Sequence, residues 1–492
     1  MPEVATVPDF IAGKASVSPA TEFVPVHNPS RGEVIARTPL SGSDRVRLAT
    51  DAATKAYESW SRTPAPARAA ILFRYKQKLE EAFGELAALV TRENGKTHEE
   101  AKGDVRRGIE VVEFACGVPH LLKGEALPQV SEGIDGVTTR EPIGVCAGIT
   151  PFNFPAMVPM WMLPLAISCG NTFVLKPSEK VPLTALRLAE LFHEAGLPSG
   201  VFNVVHGGRE VVDALCTSQD VAALSFVGST AVARHVYQLG CQHGKRVQAA
   251  GGAKNVLVVM PDADPENAIK AIVGSAFGCA GQRCMAGSLL LSVDDGANQL
   301  VKRLAERLES LVVDDTSENP AAGMGPLIDP AAKERVTGWI ERSLSEEAGL
   351  VRDGRLGVPE RGYFVGPTML DSVAPGMTIF DQEVFGPVLA VNRTKDLDEA
   401  IQLAHRSGYG NGATIFTSSG GAARKFVREI PCGMVGVNVG VPAPMAIFSF
   451  SGWRNSFYGD LHVQGKEGVL FYTRQKVVLS RWDDYGDRRH GW

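Results

Sequence analysis

The sequence predicts an α/β fold with two parallel-sheet units and a small additional β element, and three observations carry that prediction. Short β-rich runs alternate with helix-length amphipathic stretches between residues 144 and 260. A similar alternation resumes after Ser288. Near residue 136, and again close to the C-terminal end, lie runs of strand character that belong to neither series. Strand–helix–strand alternation at this spacing means parallel strands covered by helices on both faces.

In chain order, Ser43 and Asp44 offer a cap for a helix running to about Trp60. Residues 66–94 have helical apolar spacing and end in Asn94-Gly95, a C-terminal stop signal. A third helix is expected over residues 99–121. Strands are then predicted at 144–150, 172–176, 201–205, 222–227, 246–249 and 255–260, with helices at 182–195, 210–216 and 230–239 among them. Gly196, Pro198 and Gly200 make a helix stop and a turn. In the second unit, strands fall at 288–293, 388–391 and 412–417. Residues 468–479, apolar and β-branched, read as a late strand, and residues 136–140 as part of a hairpin.

Composition removes several classes of function. Of 492 residues, 44% are hydrophobic and 21% charged, which supplies large cores and is unlike a disordered chain. Fifty-five acids against fifty bases leave a net charge of -5, without the basic excess of a nucleic-acid or membrane-surface binder. The longest apolar stretch, 158–170, contains Pro164 and is too short to span a bilayer. No basic-then-apolar leader is visible, so a cytoplasmic location is expected. Eight scattered cysteines are too sparse for a disulfide scaffold, and without CxxC or HExxH no metal site is expected. On size alone the chain reads as an enzyme.

Four segments carry chemistry. Gly278-Cys279-Ala280-Gly281-Gln282-Arg283-Cys284-Met285-Ala286-Gly287 sets a thiol in a turn of small residues, where substrate approaches closely and local amides lower a thiol pKa. Alone, such a cysteine is more often a buried structural thiol. In Ile149-Thr150-Pro151-Phe152-Asn153-Phe154-Pro155, Asn153 is a neutral donor suited to an oxyanion, although an isolated Asn more often caps a turn. Pro155 is expected in the first turn of the following helix. Val174-Leu175-Lys176-Pro177-Ser178-Glu179 ends a strand, where an acid binds ribose hydroxyls; Glu179 would repel a 2′-phosphate and favour NAD over NADP. Phe226-Val227-Gly228-Ser229-Thr230 runs from a strand into a helix start, where amides face a pyrophosphate.

In this order the four segments resemble the aldehyde dehydrogenase superfamily, as do Glu383-Val384-Phe385-Gly386-Pro387-Val388 and Ala253-Lys254-Asn255. The resemblance covers essentially the whole chain, from about Phe10 to Val478. It implies a Rossmann-type NAD-binding domain (1–121 and 141–253, with part of 440–465), an α/β catalytic domain (254–439) and an oligomerisation β element (122–140 and 466–485). It matches Cys284 to the nucleophile that attacks an aldehyde, and Asn153 with the Cys284 amide to the oxyanion site. Lys176 and Glu179 match adenosine-ribose contacts. Phe152, Gly228, Ser229 and Thr230 match the cofactor cleft, and Glu383 matches the contact to the nicotinamide ribose. The implied reaction passes hydride to the nicotinamide and leaves a thioester on Cys284. A homotetramer or homodimer is implied as well.

Departures from the common pattern narrow the reading. Hydrolytic members carry a glutamate four residues before the lysine of a Glu-Leu-Gly-Gly-Lys segment; here the stretch is Ala250-Gly251-Gly252-Ala253-Lys254. Without that base water is poorly activated, and a thiol such as coenzyme A is the obvious replacement nucleophile. Glu383 is the one nearby substitute base that the motifs name. Arg283 precedes the nucleophile, and Arg107 lies on the helix that lines the substrate tunnel in this superfamily. A buried guanidinium needs a partner, and a substrate carboxylate supplies one. These features, with segments 448–456 and 465–473, resemble the coenzyme-A-acylating, methylmalonate-semialdehyde branch. That branch oxidises and decarboxylates malonate or methylmalonate semialdehyde to acetyl- or propionyl-coenzyme A. Gly251-Gly252 differs from it, the branch more often having a bulkier residue before its glycine, and Ala233 stands where the superfamily usually has glycine. Two alternatives stay open: a hydrolytic semialdehyde dehydrogenase releasing a free acid, and a catalytically retired nucleotide-binding oligomer.

Overall fold

The structure, a computed structural model, describes residues 4–294 and 297–481. Two sheets organise it. The first runs Lys14–Ser16, Asp9–Ile11, Phe202–Val204, Thr172–Lys176, Val145–Ile149, Val221–Val227, Arg246–Ala250, Phe457–Tyr458. Its five inner strands are parallel. Short antiparallel strands close both sides. Numbered by chain order, the inner strands lie 3-2-1-4-5, so the direction of growth reverses between Val145–Ile149 and Val221–Val227. In an open α/β sheet the crevice beyond the strand ends at such a reversal is where ligands bind.

The second sheet runs Gly349–Arg352, Thr368–Asp371, Val388–Thr394, Gly287–Val293, Asn255–Val259, Gly412–Phe416, Met434–Val437. Only the edge strand Gly349–Arg352 is antiparallel. Four residues, 251–254, carry the chain from the last parallel strand of the first sheet to the first strand of the second. A third, antiparallel sheet joins Ala126–Ser131, Ile134–Pro142 and Thr473–Arg481, the last pairing from Thr473 opposite Pro142 to Arg481 opposite Ile134. The expected α/β class is therefore observed. Residues 482–485 of the expected tail element lie outside the described residues.

The inner strands are apolar because both faces are covered: Val145–Ile149 and Thr172–Lys176 are buried throughout. The apolar stretch around Pro164 is the core helix Met157–Ser168, buried from Val158 onward. Among the described residues no helix is long and apolar enough to cross a membrane.

Several local expectations are corrected. The helix Ser43–Trp60 forms, but Gly42 occupies its cap, and the Glu210 carboxylate, 167 residues away, accepts from the Ser43 amide at 2.9 Å. Residues 66–94 break at Ala82 into Ala65–Glu81 and Phe83–Asn94; the expected stop holds, with Gly95 left-handed at φ 82°. The third helix ends at Cys116, and Gly117 separates it from the single turn Val118–Leu121. Pro155 lies two residues before its helix. The late strand begins only at Thr473, because Gly465–Phe471 is a helix burying Val469 and Phe471. A short apolar run does not distinguish strand from buried helix.

Candidate active site

Cys284 sits between the helix Pro265–Phe277 and the strand Gly287–Val293, in a loop of unusual backbone. Cys279, Ala280 and Gly281 are successively left-handed, at φ 53°, 52° and 67°. Such conformations cost non-glycine residues about 1–2 kcal/mol each and persist only where surrounding contacts enforce them. Here the Cys279 amide donates to Glu100 Oε1 at 2.6 Å, and Gly281 is pressed against the Gly386 carbonyl so closely that a Cβ would collide. Beyond the turn, the side-chain amides of Asn255 and Asn411 donate to the Cys284 carbonyl at 2.8 and 2.9 Å. Asn153, 5% exposed, donates from Nδ2 to the Gln282 carbonyl at 3.0 Å. It caps neither a turn nor a helix; it is tied to the backbone two residues before the thiol.

The thiol faces a cavity of about 310 Å³ lined by Arg107, Phe154, Trp161, Arg283 and Phe450, among others. Burial, followed by the Glu383 charge, pushes the Cys284 thiol up to about 12. Local amides pull it down, as expected from the sequence, but burial outweighs them. The two arginines differ in their partners. Arg107 donates to Glu110 at 2.9 Å from a half-exposed position. Arg283 donates to the Gly274 carbonyl through Nη2, while its buried Nε has no hydrogen-bond partner. That orphan donor in the cavity wall is suited to an anionic oxygen.

Carboxylates near the thiol are committed elsewhere. Glu100 closes a capping box with Thr97 and takes the Cys279 amide. Asp104 accepts from Lys96 at 2.9 Å and from the Met157 amide at 2.7 Å, both of its oxygens being used. Lys96 in turn lies 3.6 Å from the Phe154 ring centroid. Ala250, 5% exposed, presents only a methyl group, and its carbonyl accepts from the Gly228 amide at 3.1 Å. Glu383 takes the Ala253 amide at 3.1 Å, and burial pushes its carboxyl up to about 7. Gly252 is packed so tightly on that carboxylate that a Cβ would overlap it.

At the strand ends, Lys176 and Glu179 pair at 3.0 Å, and the Thr38 hydroxyl donates to the Glu179 carbonyl at 2.7 Å. Burial is the largest single influence on the Glu179 carboxyl and raises it, but the Lys176 charge and hydrogen bond, a backbone hydrogen bond and the Lys180 charge together hold it below its ordinary value. Ser229 is the cap residue of helix Thr230–Gln242, and its hydroxyl makes no capping bond, which leaves the first-turn amides without a side-chain acceptor and able to take an anion. Thr230 is already engaged: its Oγ1 accepts from the Gly252 amide at 2.9 Å. Phe152 packs edge-on to Phe385 at 5.8 Å, with Lys180 5.3 Å from its ring centroid. This donor set, with an acid just beyond the end of a parallel strand, fits an adenine dinucleotide lacking a 2′-phosphate.

The sequence motifs do not single out Glu100 or Asn411, and Gln282 and Asn255 stand inside quoted motifs without a role. Glu100 carried a readable signal, since Thr97 and Glu100 have capping-box spacing; Asn411 carried none.

A dinucleotide crevice and a thiol cavity meeting at one four-residue crossing define an aldehyde-oxidising architecture, and the chain belongs to the aldehyde dehydrogenase family, whose model matches residues 16–478. A malonate-semialdehyde dehydrogenase of Geobacillus thermodenitrificans is 54% identical over 485 residues, covering 98% of this chain and 100% of that protein. The structure of a methylmalonate-semialdehyde dehydrogenase from Oceanimonas doudoroffii superimposes with a TM-score of 0.96 at 46% identity, covering 99% of this chain and 100% of the other. A Sinorhizobium meliloti protein, described as a methylmalonate-semialdehyde dehydrogenase and solved with NAD, matches with a TM-score of 0.96 at 43% identity, over 98% and 99% of the two chains.

Proposed function

We propose that this protein oxidises malonate semialdehyde, methylmalonate semialdehyde or both with NAD, and transfers the decarboxylated acyl group from Cys284 to coenzyme A. One observation carries the acylating part: Ala250 puts a methyl group where hydrolytic members have the water-activating glutamate, while along the cavity Glu100 and Asp104 each accept on both oxygens and Glu110 is paired with Arg107. The names of the 54%-identical relative and of the two structural neighbours support the substrate class.

Cys284 attacks the aldehyde carbon as thiolate, and its proton leaves to solvent or to Glu383. The second N–H of Asn153 Nδ2 and the Cys284 amide hold the resulting alkoxide. Lys176, Glu179, Gly228, Ser229 and Glu383 hold NAD, with Phe152 and Thr230 shaping the cleft; bound NAD supplies the hydride acceptor that turns the adduct into a thioester. Arg283 and Arg107 bind the substrate carboxylate. They release it before carbon dioxide is lost, because a paired carboxylate is stabilised against leaving. Loss of carbon dioxide leaves a thioester enolate that takes a proton from solvent at its α-carbon; the coenzyme A thiol then gives up its proton and attacks the acetyl or propionyl carbonyl, and Cys284 leaves as thiolate.

Sheet boundaries support the domain reading: residues 1–121 and 141–253, with part of 440–465, bind NAD, and 254–439 form the catalytic unit. Exposed Leu127, Val137, Val477 and Leu479 on the third sheet support a homo-oligomer, tetramer or dimer, through 122–140 and 466–485. Eight free cysteines fit a cytoplasmic setting. A hydrolytic reading has one observation in its favour, the Glu383 carboxyl at about 7 with its charge felt at Cys284. Following NADH with and without coenzyme A, and identifying products from both semialdehydes, decides between them. Acetyl- or propionyl-coenzyme A with carbon dioxide supports the proposal, and free diacid at full rate overturns it.

A further inference from the structure

The helix that leads to the thiol ends in a glycine whose backbone does not call for one. Helix Pro265–Phe277 stops at Gly278, which sits at φ −55° and ψ 142°, an extended conformation that any L-residue adopts. What a side chain would meet there is Arg283. The three heavy atoms closest to a Cβ on Gly278 all belong to that guanidinium: Nη2 would be overlapped, Cζ would stand at 2.7 Å and Nη1 at 3.3 Å. The left-handed run from Cys279 to Gly281 turns the chain back, so that the Arg283 head lies over Gly278. From there Nη2 donates to the Gly274 carbonyl, one of the last four of the helix and so without a partner inside it. One of five N–H donors is used in this way, and the buried Nε has no partner. Arg107 is paired with Glu110, whereas among the described residues no carboxylate forms an ion pair with Arg283. Arg283 and Cys284 line the same cavity.

We propose that Gly278 is a positioning residue that sets substrate specificity: by omitting a side chain it seats the Arg283 guanidinium beside Cys284, and the enzyme thereby selects aldehydes that carry a carboxylate. The inference rests on the reading of Arg283 as a contact to the substrate carboxylate. An alanine at 278 would push the guanidinium off the helix end without changing its charge. The obstacle is the far end of a long side chain, so the head moves while the backbone and the thiol stay in place.

A double-mutant cycle over Gly278→Ala and Arg283→Ala tests this, with thermal melting and NAD binding as checks on each protein. Two quantities are read: kcat/KM for malonate semialdehyde with NAD and coenzyme A, and the ratio of Cys284 alkylation rates by iodoacetate and by its neutral counterpart iodoacetamide, followed by peptide mass spectrometry. Gly278→Ala lowers kcat/KM about tenfold, through KM, and lowers the alkylation ratio by a similar factor, while the iodoacetamide rate and the NAD Kd stay within twofold of wild type. Arg283→Ala lowers both quantities at least as far, and adding Gly278→Ala to it changes neither by more than twofold, because the group it acts through is gone. Equal slowing of the two reagents by Gly278→Ala would show a displaced thiol, and multiplying effects of the two substitutions would show that Gly278 acts other than through Arg283; either result overturns the proposal. If Arg283→Ala lowers both quantities while Gly278→Ala leaves them unchanged, the carboxylate reading stands and the Gly278 role falls. If Arg283→Ala changes neither, the carboxylate reading falls and the proposal falls with it.

Discussion

Asn153 offers the sharpest test of the site, because its two N–H groups have separable duties. One donates to the Gln282 carbonyl at 3.0 Å and fixes the amide plane; the other, in the proposed mechanism, serves the oxyanion formed at Cys284. Replacing Asn153 by Ala removes both. Loss of one oxyanion donor is worth about 2.7–4 kcal/mol of barrier, or roughly a 10²- to 10³-fold fall in rate. Stranding the Gln282 carbonyl beside a residue only 5% exposed adds about 1–3 kcal/mol of destabilisation, read separately in the melting temperature. Asn153→Asp keeps the volume but turns an acceptor-only carboxylate toward the Gln282 carbonyl and the developing oxyanion, so it should be at least as slow as Ala. The assay is the pre-steady-state burst of NADH at saturating semialdehyde, with NAD affinity measured independently. A burst rate for Asn153→Ala within threefold of wild type, with NAD binding intact, would refute the assigned role.

Further expectations follow from the same geometry. Ala250→Glu restores a base at the start of the crossing turn and should raise coenzyme-A-independent turnover about 10²- to 10⁴-fold, releasing free diacid, whereas the Ala250→Gln control should not; equal rates for the two would count against the missing-base argument. Glu383 is a carboxyl raised by burial to about 7, so it is neutral below that pH and gains its full accepting capacity above it. NAD affinity should therefore strengthen as pH rises through about 7, and Glu383→Gln should flatten that titration. Asp104→Ala leaves the Lys96 ammonium, 3% exposed, without its 2.9 Å partner and should cost about 3–5 kcal/mol in urea unfolding; a change below 1 kcal/mol would show the pair to be dispensable.

Much of the fold was legible because its signals are local. The strands Thr172–Lys176, Val221–Val227 and Asn255–Val259 lie within a residue of their expected bounds, since parallel strands buried on both faces are short, apolar and framed by turns. What escaped depended on partners far away in sequence. The Ser43 helix start is satisfied by Glu210, and the Cys284 carbonyl is held by Asn255, 29 residues earlier, and Asn411, 127 residues later. No window along the chain contains such pairs. The two arginines divide along that line: Glu110 lies three residues from Arg107 on an expected helix, within reach of a local reading, whereas the bare Nε of Arg283 exists only in the packed structure.

The crossing from Ala250 to Asn255 explains how one chain shows its family so plainly and its chemistry in a single side chain. Every position in the crossing is constrained from outside. A Cβ on Gly251 would stand 2.8 Å from the Asn455 carbonyl, Gly252 lies against the Glu383 carboxylate, and the Ala253 amide feeds that carboxylate. Lys254 reaches the Ile379 carbonyl at 2.6 Å. These contacts set how the two sheets face one another, and with it where the crevice meets the thiol. Position 250 is held through its backbone, by the ladder to Val227 and the Gly228 amide, so its fixing does not depend on a polar side chain, and the methyl there joins the buried core. Exchanging a carboxylate for a methyl at that position leaves the sheets, the crossing and Cys284 in place and removes only the group that would activate water. In the proposed mechanism the acyl enzyme then waits for a nucleophile that needs no such help, and a thiol is one.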